Sequence, residues 1–83
     1  MNASTLNSSR ILLVEDEQDI ADMLKLNLEI EEYKVVAVRD GNTAVQRFKE
    51  ENFDLVILDV MLPGMDGLSV CESIRLTNQS VPI

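Results

Sequence analysis

Three carboxylates stand directly after apolar runs. Glu15 and Asp16 follow Ile11-Leu12-Leu13-Val14, and Asp59 follows Leu55-Val56-Ile57-Leu58. A short run of large aliphatic residues is the pattern of a strand buried on both faces. Such a strand has no reason of its own to end on a carboxylate, so Asp59, placed just before "VMLPGMDG", asks for a chemical explanation. Three carboxylates brought together repel one another, and a hard divalent cation relieves the repulsion. Magnesium takes one or two carboxylates, keeps several waters and readily shares a phosphate oxygen. The chemistry indicated is a Mg2+-assisted reaction at a carboxylate or a phosphate. Each residue alone has a plainer reading. Glu15 to Asp19 suit a helix start, Asp59 suits a turn, and Pro63, Gly64 and Gly67 suit a loop. Their co-occurrence favours the chemical reading.

The elements that must position these groups can be read along the chain. Apolar runs at Ile11–Val14, Val35–Val38 and Leu55–Leu58 predict strands. The stripe Ile20, Met23, Leu24, Asn27, Leu28, Glu31 predicts an amphipathic helix over about 17 to 31, with Glu17 and Asp19 in its first turn. A second helix over about 42 to 51, capped by Asp40 or Asn42, buries Ala44, Val45 and Phe48. A third, capped by Asp66 or Ser69, has Leu68, Cys71 and Ile74 as its inner face. Asp54, with Asp40 and Asp66, reads as cap or solvated surface, and Val81-Pro82-Ile83 reads as a fourth strand just starting. Strands alternating with helices predict an α/β fold with a doubly wound, flavodoxin-like parallel sheet, and the commonest small order of that kind would place these strands as 2-1-3. In such sheets ligands sit at the carboxyl ends of the strands where the winding reverses. Neighbouring first and third strands would bring Glu15, Asp16 and Asp59 to that crevice.

Composition limits the alternatives. The 83 residues suffice for one small domain, expected over 10–83 behind a disordered tail over 1–9. The hydrophobic fraction of 46% with only three aromatics requires an aliphatic core. A net charge of -8 argues against direct nucleic-acid or anionic-membrane contact and suits cations or basic protein surfaces. One cysteine, Cys71, excludes an intrachain disulfide and reads as core. The absence of a signal peptide and of a membrane span points to the cytoplasm. With no histidine, Ser-His, Cys-His and familiar zinc sites are excluded. A flavin-type phosphate loop is disfavoured because "EDEQD" occupies the loop after the first strand.

"RILLVEDEQDIADMLKLNLE", "VVAVRDGNTAV" and "FDLVILDVMLPGMDGLSVCESIR" resemble the receiver domain of two-component response regulators, over about Arg10 to Ile83. The "LDVMLPGMDG" form is most like regulators with a winged-helix output domain that controls transcription. The resemblance implies that Asp59 is the phosphorylated aspartate, that Asp16 binds Mg2+ directly, and that Glu15 acts through a metal-bound water. It implies that the Met61 backbone carbonyl is a further Mg2+ ligand, and that Pro63 and Gly67 shape the loop after the acceptor. It implies a sensor histidine kinase as phosphoryl donor, and self-phosphorylation rather than an enzyme's turnover.

The same resemblance sets expectations about what is missing. A complete receiver has five βα units, whereas this sequence stops at the start of its fourth strand. The family's Ser/Thr after strand four and Lys after strand five have no counterpart, since none of Lys25, Lys34 and Lys49 falls there. Strand three is then expected to present an exposed apolar edge. The chain is expected to be truncated, and alone to be marginal, oligomeric or partly unfolded, or else completed by a second chain through that edge. The alternatives to phosphotransfer are a protein-interaction module or an inactive fragment. An aspartate-nucleophile phosphohydrolase is disfavoured because Met61 stands where a second acid is wanted.

Overall fold

The computed structural model describes residues 9–60, 62 and 64–83. The expectations for residues 1–8 of the tail, for the Met61 carbonyl and for Pro63 lie outside the described residues. Three strands and three helices alternate: β1 (Arg10–Val14), α1 (Gln18–Ile30), β2 (Lys34–Val38), α2 (Gly41–Glu50), β3 (Leu55–Leu58) and α3 (Gly67–Arg75). The sheet is parallel throughout, in the order β2-β1-β3. The α/β, doubly wound, flavodoxin-like fold expected from the alternation is therefore present.

The central strand explains the two-layer core. Successive strand side chains point to opposite faces. Ile11 and Leu13 pack with Ala21 and Val35 beneath α1, joined by Leu24, Leu28 and Tyr33. Leu12 and Val14 pack on the other face with Val38, Ala44, Phe53, Val56, Val70 and Ile74. Each of Ile11, Leu12, Leu13 and Val14 is essentially inaccessible to solvent, which is why the strand is apolar at all four of these positions rather than alternately.

Two helical faces differ from expectation. In α1 the buried line is Ala21 with the half-buried Leu24 and Leu28, while Ile20 and Met23 are exposed, as are Leu26 and Ile30. A small residue lets the helix approach the sheet closely, so Ala21 takes the innermost place and the larger neighbours rotate outward. In α3 the inner face is Gly67, Val70 and Ile74, and Leu68 is 69% exposed. Gly67 lies against the backbone of Asp59 and Val60. That contact fixes the helix rotation and brings the residues three and seven places later inward. Cys71, expected in the core, is half-buried and lines a groove of about 190 Å³ with Leu58, Val60, Gly67, Leu68 and Ile83.

The expected start of a fourth strand appears as a single rung. The Val56 N–H donates to the Pro82 carbonyl at 2.9 Å, and Val81 is buried. Asn78 Oδ1 accepts from the Ser80 and Val81 N–H groups, and Arg75 donates to the Val81 carbonyl at 2.7 Å, which holds this segment against β3.

The end of α1 carries a backbone cost. Tyr33 N–H donates to the Leu28 carbonyl and Glu32 N–H to that of Glu29, the two bonds of a Schellman motif. Glu32 sits at the left-handed position with φ 71°, where an L-residue other than Gly is disfavoured by about 1–2 kcal/mol. Glu32→Gly is expected to raise the unfolding free energy by about 0.5–1 kcal/mol after the added freedom of the unfolded chain is allowed for. Urea denaturation checks this, and a lower midpoint would rule it out.

Candidate functional site

The parallel register builds the site. Val14 stands opposite both Val38 and Leu58, so the residues after β1 and β3 leave the sheet side by side. Hydrogen bonding continues one residue past the strands: Glu15 N–H donates to the Val38 carbonyl and Asp59 N–H to the Val14 carbonyl, each at 3.1 Å. Glu15 and Asp59 are thus fixed by backbone pairing before their side chains do anything. The turn into α1 is held in the same way, since Glu17 N–H donates to Glu15 Oε2 at 3.1 Å.

Carboxylate oxygens of Glu15, Asp16 and Asp59 all lie within 4.8 Å of one another, and all three residues are half-buried. The Glu15 carboxyl is raised above its ordinary value of 4.5. Burial is the main cause, with the charges of Asp59 and Asp16 adding to it, and the Glu17 N–H acts in the opposite sense. The arrangement therefore concentrates like charge. Oxygens around an octahedral Mg2+ lie about 3 Å apart when adjacent and about 4.2 Å when opposite, for bonds of about 2.1 Å. The spacing and the hard-oxygen donor set fit such an ion with small side-chain adjustments.

The second half of the site is the segment from β3 to α3. Asp66 caps α3, its Oδ1 accepting from Ser69 N–H at 2.8 Å. These bonds hold the Asp66 carboxyl below its usual value, as the Thr43 N–H does for Asp40 at the start of α2. Asp40 and Asp66, not Asn42 and Ser69, are the caps. Gly67 N–H donates to the Val60 carbonyl at 2.9 Å, closing the loop directly after Asp59. A Cβ at Gly67 would lie 2.5 Å from the Asp59 carbonyl oxygen and 2.6 Å from Val60 Cα. Gly67 therefore shapes this loop by close approach. Gly64 does so by conformation, with φ 76°.

The family of the response regulator receiver domain matches residues 11–83. The chain belongs to that family. This receiver is also similar to solved structures. It is 40% identical to the response regulator TrrA solved in complex with the histidine kinase ThkA, covering 88% of this chain and 63% of that one, with a TM-score of 0.83. TrrA from Thermotoga maritima in complex with Mg(2+)-BeF is 41% identical, over 86% of this chain and 62% of the other, at a TM-score of 0.82. The chemotaxis response regulator CheY4 of Vibrio cholerae is 28% identical, over 92% and 65%, at 0.89. The receiver spans less than two thirds of the length of each of these neighbours. Among its described residues, no helix is long and apolar enough to cross a membrane.

Two contacts of the site were not evident in the sequence. Arg39 Nη2 donates to the Asp16 carbonyl at 3.3 Å. Gly41, buried at the start of α2, has no room for a Cβ, which would lie 2.5 Å from the Met65 carbonyl oxygen. The break at "RDGN" marks where β2 ends but not which strand lies beside it, so it locates neither contact. Asp54, read as cap or surface, accepts the Arg10 N–H at 2.8 Å at the opposite end of the sheet.

The raised Glu15 carboxyl has a consequence for stability. Between pH 4.5 and the raised value, the folded chain binds more protons at Glu15 than the unfolded chain does. The resulting stabilisation is complete below the ordinary value and is lost as pH rises through the raised one. With divalent ions chelated, stability is expected to decline over that window, and Asp59→Asn, which removes one neighbouring charge, is expected to flatten the decline. Urea titrations at a series of pH values test this. The two caps act in a separate window, since their contribution is lost as pH falls from 3.8 through their lowered values.

Proposed function

We propose that this receiver takes a phosphoryl group from a sensor histidine kinase onto Asp59, with Mg2+ held by Glu15, Asp16 and Asp59. The observation that carries the proposal is the convergence of three carboxylates within 4.8 Å at the carboxyl ends of β1 and β3. An Asp59 carboxylate oxygen forms a bond to phosphorus, and the bond from phosphorus to the donor's histidine nitrogen breaks. The product on the receiver is an acyl phosphate. Mg2+, when bound, supplies neutralising charge to the phosphoryl oxygens. Glu15 and Asp16 hold it, and the backbone bonds of Glu15 and Asp59 keep the acceptor aligned.

A kinase partner is supported by the complex of TrrA with ThkA, and Mg2+ by the complex of TrrA with Mg(2+)-BeF. The reaction modifies the receiver itself, so the chain acts as a signalling element rather than as an enzyme. The "LDVMLPGMDG" motif favours a transcription-controlling output domain as the recipient of the signal, in the cytoplasm. The apolar side chains Ile20 and Met23 are exposed on α1, the helix that follows Asp16 in the sequence, and are available for a protein contact. The test is incubation with Mg2+ and acetyl phosphate, followed by intact mass. A gain of one phosphate is expected, and Mg2+ binding without that gain would favour a protein-interaction module instead.

A further inference from the structure

We infer that Arg39, anchored on the Asp16 carbonyl, places a fixed positive charge at the rim of the carboxylate cluster, and that this charge rather than the anchoring bond sets its effect on the site's ligands. The inference rests on the reading of Glu15, Asp16 and Asp59 as a Mg2+ and phosphoryl site. Arg39 directly follows the last residue of β2. Because Val38 pairs with Val14 and receives the Glu15 N–H, the chain after β2 emerges beside the chain after β1. From there the guanidinium reaches across to the Asp16 carbonyl.

The other arginines are engaged elsewhere. Arg10 pairs with Glu51 and lies 5.1 Å above the Phe53 ring at the opposite end of the sheet. Arg47 also pairs with Glu51, and Arg75 binds the carbonyls of Asn78 and Val81. Lys34 opens β2, at the strand end away from the cluster.

A guanidinium keeps its charge at all working pH values. At the rim of an anionic crevice it opposes a free divalent cation and favours an anionic phosphoryl donor. These two effects have opposite signs, which separates them from simple tethering. Loss of a tether alone would loosen the site for both ligands.

The experiment compares the protein with Arg39→Gln and Arg39→Lys. Calorimetry measures the affinity for Mg2+ alone, and intact mass measures the rate of phosphate uptake from acetyl phosphate at saturating Mg2+. Arg39→Gln is expected to bind Mg2+ about two- to five-fold more tightly at low salt and to take up phosphate more slowly by a similar factor. Both differences should shrink at high ionic strength, and Arg39→Lys should stay near the parent in both. Weaker Mg2+ binding by Arg39→Gln, or no change in either quantity, overturns the inference while the site reading stands. Failure of the parent protein to bind Mg2+ overturns both.

Discussion

Asp59→Asn is expected to take up no phosphate from acetyl phosphate with Mg2+ present, while gaining stability near neutral pH when Mg2+ is chelated. The substitution keeps the shape of the side chain and removes both its nucleophilicity and its charge. The backbone bond from Asp59 N–H to the Val14 carbonyl does not depend on the side chain, so the strand end should remain in place. The Glu15 carboxyl, raised partly by the charge of Asp59, should return toward its ordinary value. Lost acceptance together with a more stable ion-free fold distinguishes a functional carboxylate from a structural one. A structural carboxylate would give a less stable protein on replacement. Intact mass and urea denaturation provide the two readings. Phosphate uptake persisting in the variant would place the acceptor elsewhere.

Gly67→Ala is expected to cost about 3 kcal/mol, a large part of the roughly 5–15 kcal/mol that holds a domain folded. The added methyl would meet the Asp59 carbonyl oxygen and Val60 Cα, both backbone atoms that cannot rotate away. Relief requires α3 to move off the sheet or the chain after β3 to shift. The first breaks the packing of Val70 and Ile74, and the second displaces the acceptor. A displacement of about 1 Å can slow a positioned reaction on the order of a hundredfold. The neighbouring Leu68→Ala, at an exposed position, should change stability by no more than about 0.5 kcal/mol. A Gly67→Ala protein with the parent's urea midpoint would refute the close-approach account.

The strands were the most legible elements. Ile11–Val14 and Leu55–Leu58 are apolar at every position; the central strand is buried on both faces, whereas in the edge strand β3 only Val56 is fully buried and its neighbours are half-buried. The alternation of elements gave the parallel sheet, but the neighbouring of β1 and β3, and with it the meeting of Glu15, Asp16 and Asp59, came from the commonest doubly wound order rather than from any residue. Helix rotation was less legible. Counting large apolar residues favoured Met23 and Leu68, but close packing favours small residues where backbones approach, and Ala21 and Gly67 took those places. The caps were narrowed to pairs, and backbone geometry chose Asp40 and Asp66. The tether from Arg39 to the Asp16 carbonyl joins residues 23 positions apart. No local pattern encodes it, because it depends on the β1–β2 register.

The register of β1 with β3 has a further consequence. Residues advance about 3.3 Å each along a parallel strand. A slip of β3 by two residues, the smallest that keeps its core face inward, would carry Asp59 roughly 6.6 Å along the sheet. That exceeds the 4.8 Å within which the three carboxylates now meet. On the proposed reading, an ion requiring all three groups recognises a single alignment of the two strands. By mass action it then adds about 2.7 kcal/mol to that alignment at a hundredfold excess over its dissociation constant. The cation that readies the receiver for its signal would also act as a proofreader of its fold, rewarding the one strand pairing in which a signal can be received.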